Sequence, residues 1–174
     1  MEFKKITLTV SLLASATIFS INANANAASD VTLQGVITNS ICDIAVNHGK
    51  SLLNVGVFKS SEFTANVSTA QVDLPVLLTD CAAGEDGTLI IQGLTSTGNA
   101  QQNIFVGNEE DTVGFMVTQN DGTTNVANGQ GAPLTLGAAE TSASYTFKVG
   151  MASTTLAPLA GAYSAPILVA YIVE

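Results

Sequence analysis

Apolar and polar residues alternate along most of this chain. Val31, Leu33, Ile37 and Ile41 interleave with Thr32, Gln34, Thr38 and Ser40. Successive side chains of a strand point to opposite faces, so this spacing predicts a half-buried strand leading into Cys42. Leu52–Phe58 is a second candidate strand. Val72–Leu78 is a third and runs into Cys81; its Pro75 predicts a sheet edge or a bend. Thr88–Gln92 follows the Gly84-Glu85-Asp86-Gly87 turn. Asn103–Val106 is short, and Val113–Val117 ends at Asn120-Asp121-Gly122, a strong turn signal. Leu134–Leu136, Ser144–Val149 and Pro166–Glu174 complete the series. Gly, Asn, Thr, Ser and Ala fill the intervals, with residues 94–103 and 121–133 as the long loops. No segment keeps a helical period with caps. About eight or nine short strands at roughly ten-residue spacing predict an all-β sandwich or barrel.

The first 27 residues depart from this pattern. Lys4 and Lys5 precede an apolar run from Ile6 to Ile21, followed by Ala-Asn repeats. A short basic start, an apolar stretch and a small-residue exit describe a secretory signal. The run is short for a bilayer span. The expected organisation is a signal peptide over 1–27 and one domain over 28–174. Ala25-Asn26-Ala27 is the favoured cleavage site and Ala23-Asn24-Ala25 the alternative.

Composition narrows the function. Five lysines face 14 acidic residues, there is no arginine, and the net charge is −9. Nucleic acid is excluded as a partner class, because its phosphates require clustered cations. Charged residues make up only 11% of the chain and apolar ones 47%, which sets it apart from a solvated disordered chain. Catalytic parts are scarce. A Ser-His-Asp set would need the single histidine, His48, whose polar Asn47-His48-Gly49-Lys50 stretch reads instead as a solvated turn. The acidic run Glu109-Glu110-Asp111 matches no calcium-loop spacing. No enzyme activity and no cofactor are expected.

The two cysteines, Cys42 and Cys81, both lie in the exported part. An even count in an exported chain reads as a disulfide, worth about 3.5–4 kcal/mol in the chain-entropy picture. The alternative is a metal site built from both cysteines and His48, without any C-x-x-C spacing. The last strand is the most informative element. Ile167–Val173 carries no charge until Glu174. It reads either as an interior strand of a sandwich or as an open edge that another chain completes.

These residues resemble the pilin subunits of chaperone–usher fimbriae, type 1-like. The match rests on Leu33–Cys42 as an opening strand running into the first cysteine, and on Leu74–Cys81 running into the second. It rests further on Val113–Val117 with Asp121-Gly122 and then Ala132–Gly137, and on the tail, where Gly161 stands fourteenth from the end, as a glycine does in the family. Order and spacing together cover nearly all of the exported chain. The resemblance implies an incomplete immunoglobulin-like sandwich whose final strand comes from a partner. It implies a groove between the first and last strands, filled first by a periplasmic chaperone and then, at an outer-membrane usher, by the N-terminal extension of a neighbouring subunit. Carried onto this chain, the groove would be lined by Val31, Leu33, Ile37 and Ile41 on one side and Ile167, Val169, Tyr171 and Val173 on the other. Cys42–Cys81 would tie the first strand to the third. The implied product is a cell-surface fimbrium serving adhesion; the resemblance also admits a host-surface receptor.

Two features depart from the family. Its usual next-to-last tyrosine is Val173 here, with Tyr171 two positions earlier. Polymerising subunits carry an extension of about a dozen residues, whereas cleavage after Ala27 leaves only Ala28, Ser29 and Asp30 ahead of Val31. A shaft subunit would use Val31 and Leu33 as a short donor; a tip subunit would accept a strand and donate none. A free-standing secreted β-sandwich that binds carbohydrate is the alternative function, weakened by the absence of tryptophan to stack on a sugar ring. Intact-mass measurement of the exported chain is expected to place its first residue at Ala28.

Overall fold

The computed structural model describes residues 35–173. The proposed signal peptide, Val31, Leu33 and Glu174 lie outside the described residues. The strands are β1 Asp43–Val46, β2 Gln71–Thr79, β3 Asp86–Gly93, β4 Ile104–Phe105, β5 Val113–Thr118, β6 Gln130–Thr135, β7 Ala143–Ser153 and β8 Ile167–Ile172. All named pairings are antiparallel. They form a five-stranded sheet in the order β1-β2-β7-β5-β4 and a three-stranded sheet in the order β6-β3-β8.

Alternation decides which side of each strand is buried. On β2, Leu74, Val76 and Leu78 are buried while Asp73 and Leu77 are exposed. Phe147 and Val149 of β7 and Val117 of β5 share that interior with Leu89 and Ile91 of β3 and Val169 and Tyr171 of β8. β7 is the longest strand, with 11 residues, and it pairs with β2 along its first part and β5 along its second. The expected sandwich is therefore present, its core lying between the two inner faces.

Three sequence expectations change. β6 starts at Gln130, inside the expected 121–133 loop, because Gln130 and Gly131 already pair with Ile91 and Ile90 of β3. Residues 35–41 form no strand. Thr38 Oγ1 accepts the Ser40 N–H at 3.1 Å, and Ser40 Oγ accepts the Cys42 N–H at 3.1 Å. Such local side-chain bonds divert backbone donors from a ladder, so pairing starts only at Asp43. Residues 52–58 form no strand either. The chain leaves β1 through Asn47, His48 and Gly49, all at positive φ, a region that Asn and Gly tolerate best. The Asn47 side-chain amide donates to the carbonyls of Lys50 (3.2 Å) and Leu52 (2.8 Å), and so fixes the exit direction. His48 is an exposed turn residue.

The disulfide joins Cys42, just before β1, to Cys81, just after β2, with Cα atoms 4.2 Å apart. With 52–58 outside the sheets, it ties the first strand to the second rather than the third. The sulfurs are spent on each other, which removes two of the three ligands from the metal alternative. Pro75 pairs with Thr146 of β7 and sits where β1 has ended, since the last β1 pair is Val46↔Val76. That is the edge position its missing N–H demands.

The turn after β5 is held by Asp121. Its carboxylate accepts the Thr124 hydroxyl and the N–H groups of Thr124 and Thr123. These bonds favour the ionised form and lower its pKa from 3.8 to about 2, the Thr124 hydroxyl contributing most. The turn's contribution is therefore whole above pH 3.8 and is lost as pH falls through about 2. An NMR titration is expected to place the Asp121 midpoint near that lower value. Packing makes a second prediction. Phe147 is fully buried, and Phe147→Ala is expected to cost about 3–5 kcal/mol in denaturant unfolding. Gly131→Ala also destabilises, because a Cβ there would run into the Leu89 carbonyl oxygen of the paired strand.

Candidate functional site

The larger sheet presents more inner face than the smaller one covers. Beyond β8 no further strand of the three-stranded sheet follows among the described residues. The inner face of the larger sheet therefore opens into two adjoining apolar cavities of about 540 and 610 Å³. Leu74 of β2, Val149 of β7 and Val117 of β5 floor the first; Val113 of β5 and Met151 of β7 floor the second. Phe115, Leu52, Leu53, Val55 and Tyr163 line both, so the two form one groove.

One wall of the groove is the strandless stretch after β1. Val55 is buried against the core, while Leu52 and Val57 are 78% and 99% exposed, too open for a protein at rest with its apolar surface. The other wall is residues 158–166 and the first half of β8. Here Leu159 is 85% exposed, Tyr163 donates its hydroxyl proton to the Leu159 carbonyl at 2.8 Å, and Gly161 lies against the Tyr163 ring. A Cβ at Gly161 would meet that ring at 3.3 Å, tighter than ordinary contact, so glycine lets the tyrosine lie down along the wall. The Ser60 hydroxyl donates to the Pro158 carbonyl and joins the walls at one end. Towards the other end, the Val173 N–H donates to Thr38 Oγ1 at 3.3 Å, bringing the chain ahead of Cys42 to the end of β8.

The sheet edges differ in how they are protected. β1 has four residues and β4 two. β6 carries Pro133. Short strands and prolines blunt an edge against pairing with another chain. β8 has six residues with neither proline nor charge, and β3 is its only strand partner among the described residues. Its outer edge is the one left able to take a further strand.

The sequence-predicted residues distribute as follows. Ile167, Val169, Tyr171 and Val173 share one face of the last strand and pack on the main core. Ile167 and Val169 line the groove; Tyr171 and Val173 lie beyond it. Burial, together with the negative charges of Glu85 and Asp86, raises the Tyr171 pKa, and its hydroxyl donates to the Leu134 carbonyl at 3.0 Å. Gly161 lines the second cavity. Ile37 and Ile41 are 94% and 70% exposed and line neither cavity, because the Thr38 and Ser40 turns carry their segment off the strand path. Sequence reasoning missed the wall residues Leu52, Leu53 and Val55 and the floor residues Leu74, Phe115 and Val149. The signal for the wall is an apolar run two residues after an Asn-His-Gly turn, whose strand character alone predicts another sheet strand.

Comparison with known proteins agrees with this geometry. No curated protein matches the chain. Among solved structures, the P pilus rod subunit PapA superposes with a TM-score of 0.60 at 15% identity, covering 76% of this chain and 99% of that one. A subunit from a structure of a chaperone–usher pilus and its rod uncoiling gives 0.59 at 15% identity, covering 86% and 97%. Both similarities are of fold. The family model described as fimbrial protein matches residues 31–172, and the chain belongs to that family.

Proposed function

We propose that this fimbrial subunit is completed by a strand from another protein, laid along the outer edge of β8 into the groove. A periplasmic chaperone would supply that strand during export. At an outer-membrane usher, the N-terminal segment of a neighbouring subunit would replace it. The observation that carries this reading is the layer mismatch: among the described residues, an apolar floor of Leu74, Phe115, Val117 and Val149 lies under no strand beside the one unblunted edge. An alternating apolar strand would cover the floor at about 25 cal/mol per Å² of buried area and satisfy the free edge of β8 together. We place the subunit in the shaft of a surface fimbrium serving adhesion, with Val31 and Leu33 as its own donor residues. The shared fold with a rod subunit is in keeping with that position. The role is structural, and no catalytic step is assigned.

Expression of the mature chain in a periplasm tests the reading. The expected result is aggregation or loss alone and recovery as a heterodimer when its chaperone is supplied. A stable soluble monomer overturns it and would favour the free-standing carbohydrate binder. Val169→Asp, which puts a charge on the groove side of β8, is expected to reduce heterodimer recovery at least about tenfold. For position in the fibre, a peptide copying residues 28–41 is expected to displace the chaperone from a second copy; failure to do so assigns the tip.

Trypsin supplies an independent readout. The exported chain offers it only Lys50, Lys59 and Lys148. Lys148 lies within β7 and pairs with Asp73 at 2.7 Å, whereas Lys50 and Lys59 are exposed beside the strandless wall. Cleavage at Lys50 and Lys59 is expected to slow when a strand fills the groove, with Lys148 resistant in both states.

A further inference from the structure

Glu85 occupies a position that a carboxylate seldom takes. The residue is only 8% exposed, and its Oε1 is buried without any hydrogen-bond partner. Its Oε2 accepts the Ala82 N–H at 3.0 Å and lies 3.5 Å from Cys42 Sγ, against the disulfide. The backbone is held on both sides: Leu136 N–H donates to the Glu85 carbonyl at 2.8 Å, and Gly84 N–H to the Gly137 carbonyl at 3.0 Å. No cation compensates it, since Lys148–Asp73 is the only salt bridge among the described residues. A glutamate that only capped the Ala82 N–H could be a glutamine. The buried, uncompensated charge beside sulfur calls for another role.

We propose that Glu85 guards the Cys42–Cys81 disulfide against opening by thiols. In the opening step a thiolate attacks one sulfur, a mixed disulfide forms, and the other cysteine leaves as a thiolate that takes a proton from water. A second thiolate then attacks the mixed disulfide, releasing the small-molecule disulfide and the second cysteine; two electrons have passed to the protein. Cys81 is only 5% exposed, while Cys42 is half-buried and the more exposed residue. Attack on Cys42 brings a negative nucleophile beside the carboxylate. Attack on Cys81 expels Cys42 as a thiolate beside the same carboxylate. Either route builds negative charge next to Oε2, in a low-dielectric surrounding where like charges repel strongly. The carboxylate thus slows both routes while leaving the closed disulfide undisturbed.

The test measures the rate of disulfide opening by dithiothreitol in the exported mature chain, purified with any partner strand it holds. Glu85→Gln keeps the shape and the acceptor for Ala82 and is expected to open about tenfold faster than wild type. Asp86→Asn removes a neighbouring charge that bonds Thr135 and not sulfur, and is expected to open at the wild-type rate. An unchanged or slower rate in Glu85→Gln overturns the proposal, and so does an equal acceleration in Asp86→Asn. Should Glu85→Gln fail to fold, wild type alone decides. The rate ratio of cysteamine, a cationic thiol, to mercaptoacetate, an anionic one, is measured in about 0.5 M salt to screen the chain's general acidity. The folded protein is expected to show a several-fold higher ratio than the urea-unfolded chain; equal ratios overturn the proposal.

Discussion

A five-stranded layer packed on a three-stranded one cannot bury its whole inner face. That inequality governs the rest of the molecule. Strands lie about 4.8 Å apart within a sheet, so each missing strand uncovers a band of core as wide as one strand. Here the band runs along β8, and the side chains it exposes are the same Leu74, Val117 and Val149 that elsewhere close the interior. The groove is an unfinished part of the hydrophobic core, which is why its floor is aliphatic and aromatic rather than shaped for a polar ligand.

The remaining construction accommodates that gap. The disulfide fixes the start of β1 to the end of β2. Edges away from the groove are too short or too interrupted by proline to recruit a strand. Protecting three edges while leaving the fourth continuous directs any incoming strand to one place. In the proposed function, stability and specificity come from the same feature: a segment completing the core would pair beside β8.

Much of this architecture was legible from period-two alternation. β2, β3, β5, β7 and β8 lie close to where the apolar alternation predicts strands; alternation alone does not decide which face of β8 turns inward, and the structure packs Ile167, Val169, Tyr171 and Val173 on the core. Alternation misled at two places. Around Ile37 and Ile41, hydroxyl side chains captured the backbone donors, a choice that apolar spacing does not encode. At Leu52–Phe58 the residues have strand character but no strand beside them, because Asn47 turns the chain out of the sheet. The groove walls depended on those two segments, so the presence of a groove was readable while one of its sides was not. Glu85 was read as part of a turn; only the fold brings it to a cysteine 43 positions away.

The strandless wall has a mechanical consequence. It hangs from the Asn47 amide at one end and is tethered through Ser60 to Pro158 at the other. Between them, residues 51–58 make no backbone bond to either sheet among the described residues. Such a span behaves like a strap fastened at its two buckles: it can slacken or draw in to suit the girth of what it encloses, at the cost of bending a loop rather than unzipping a ladder.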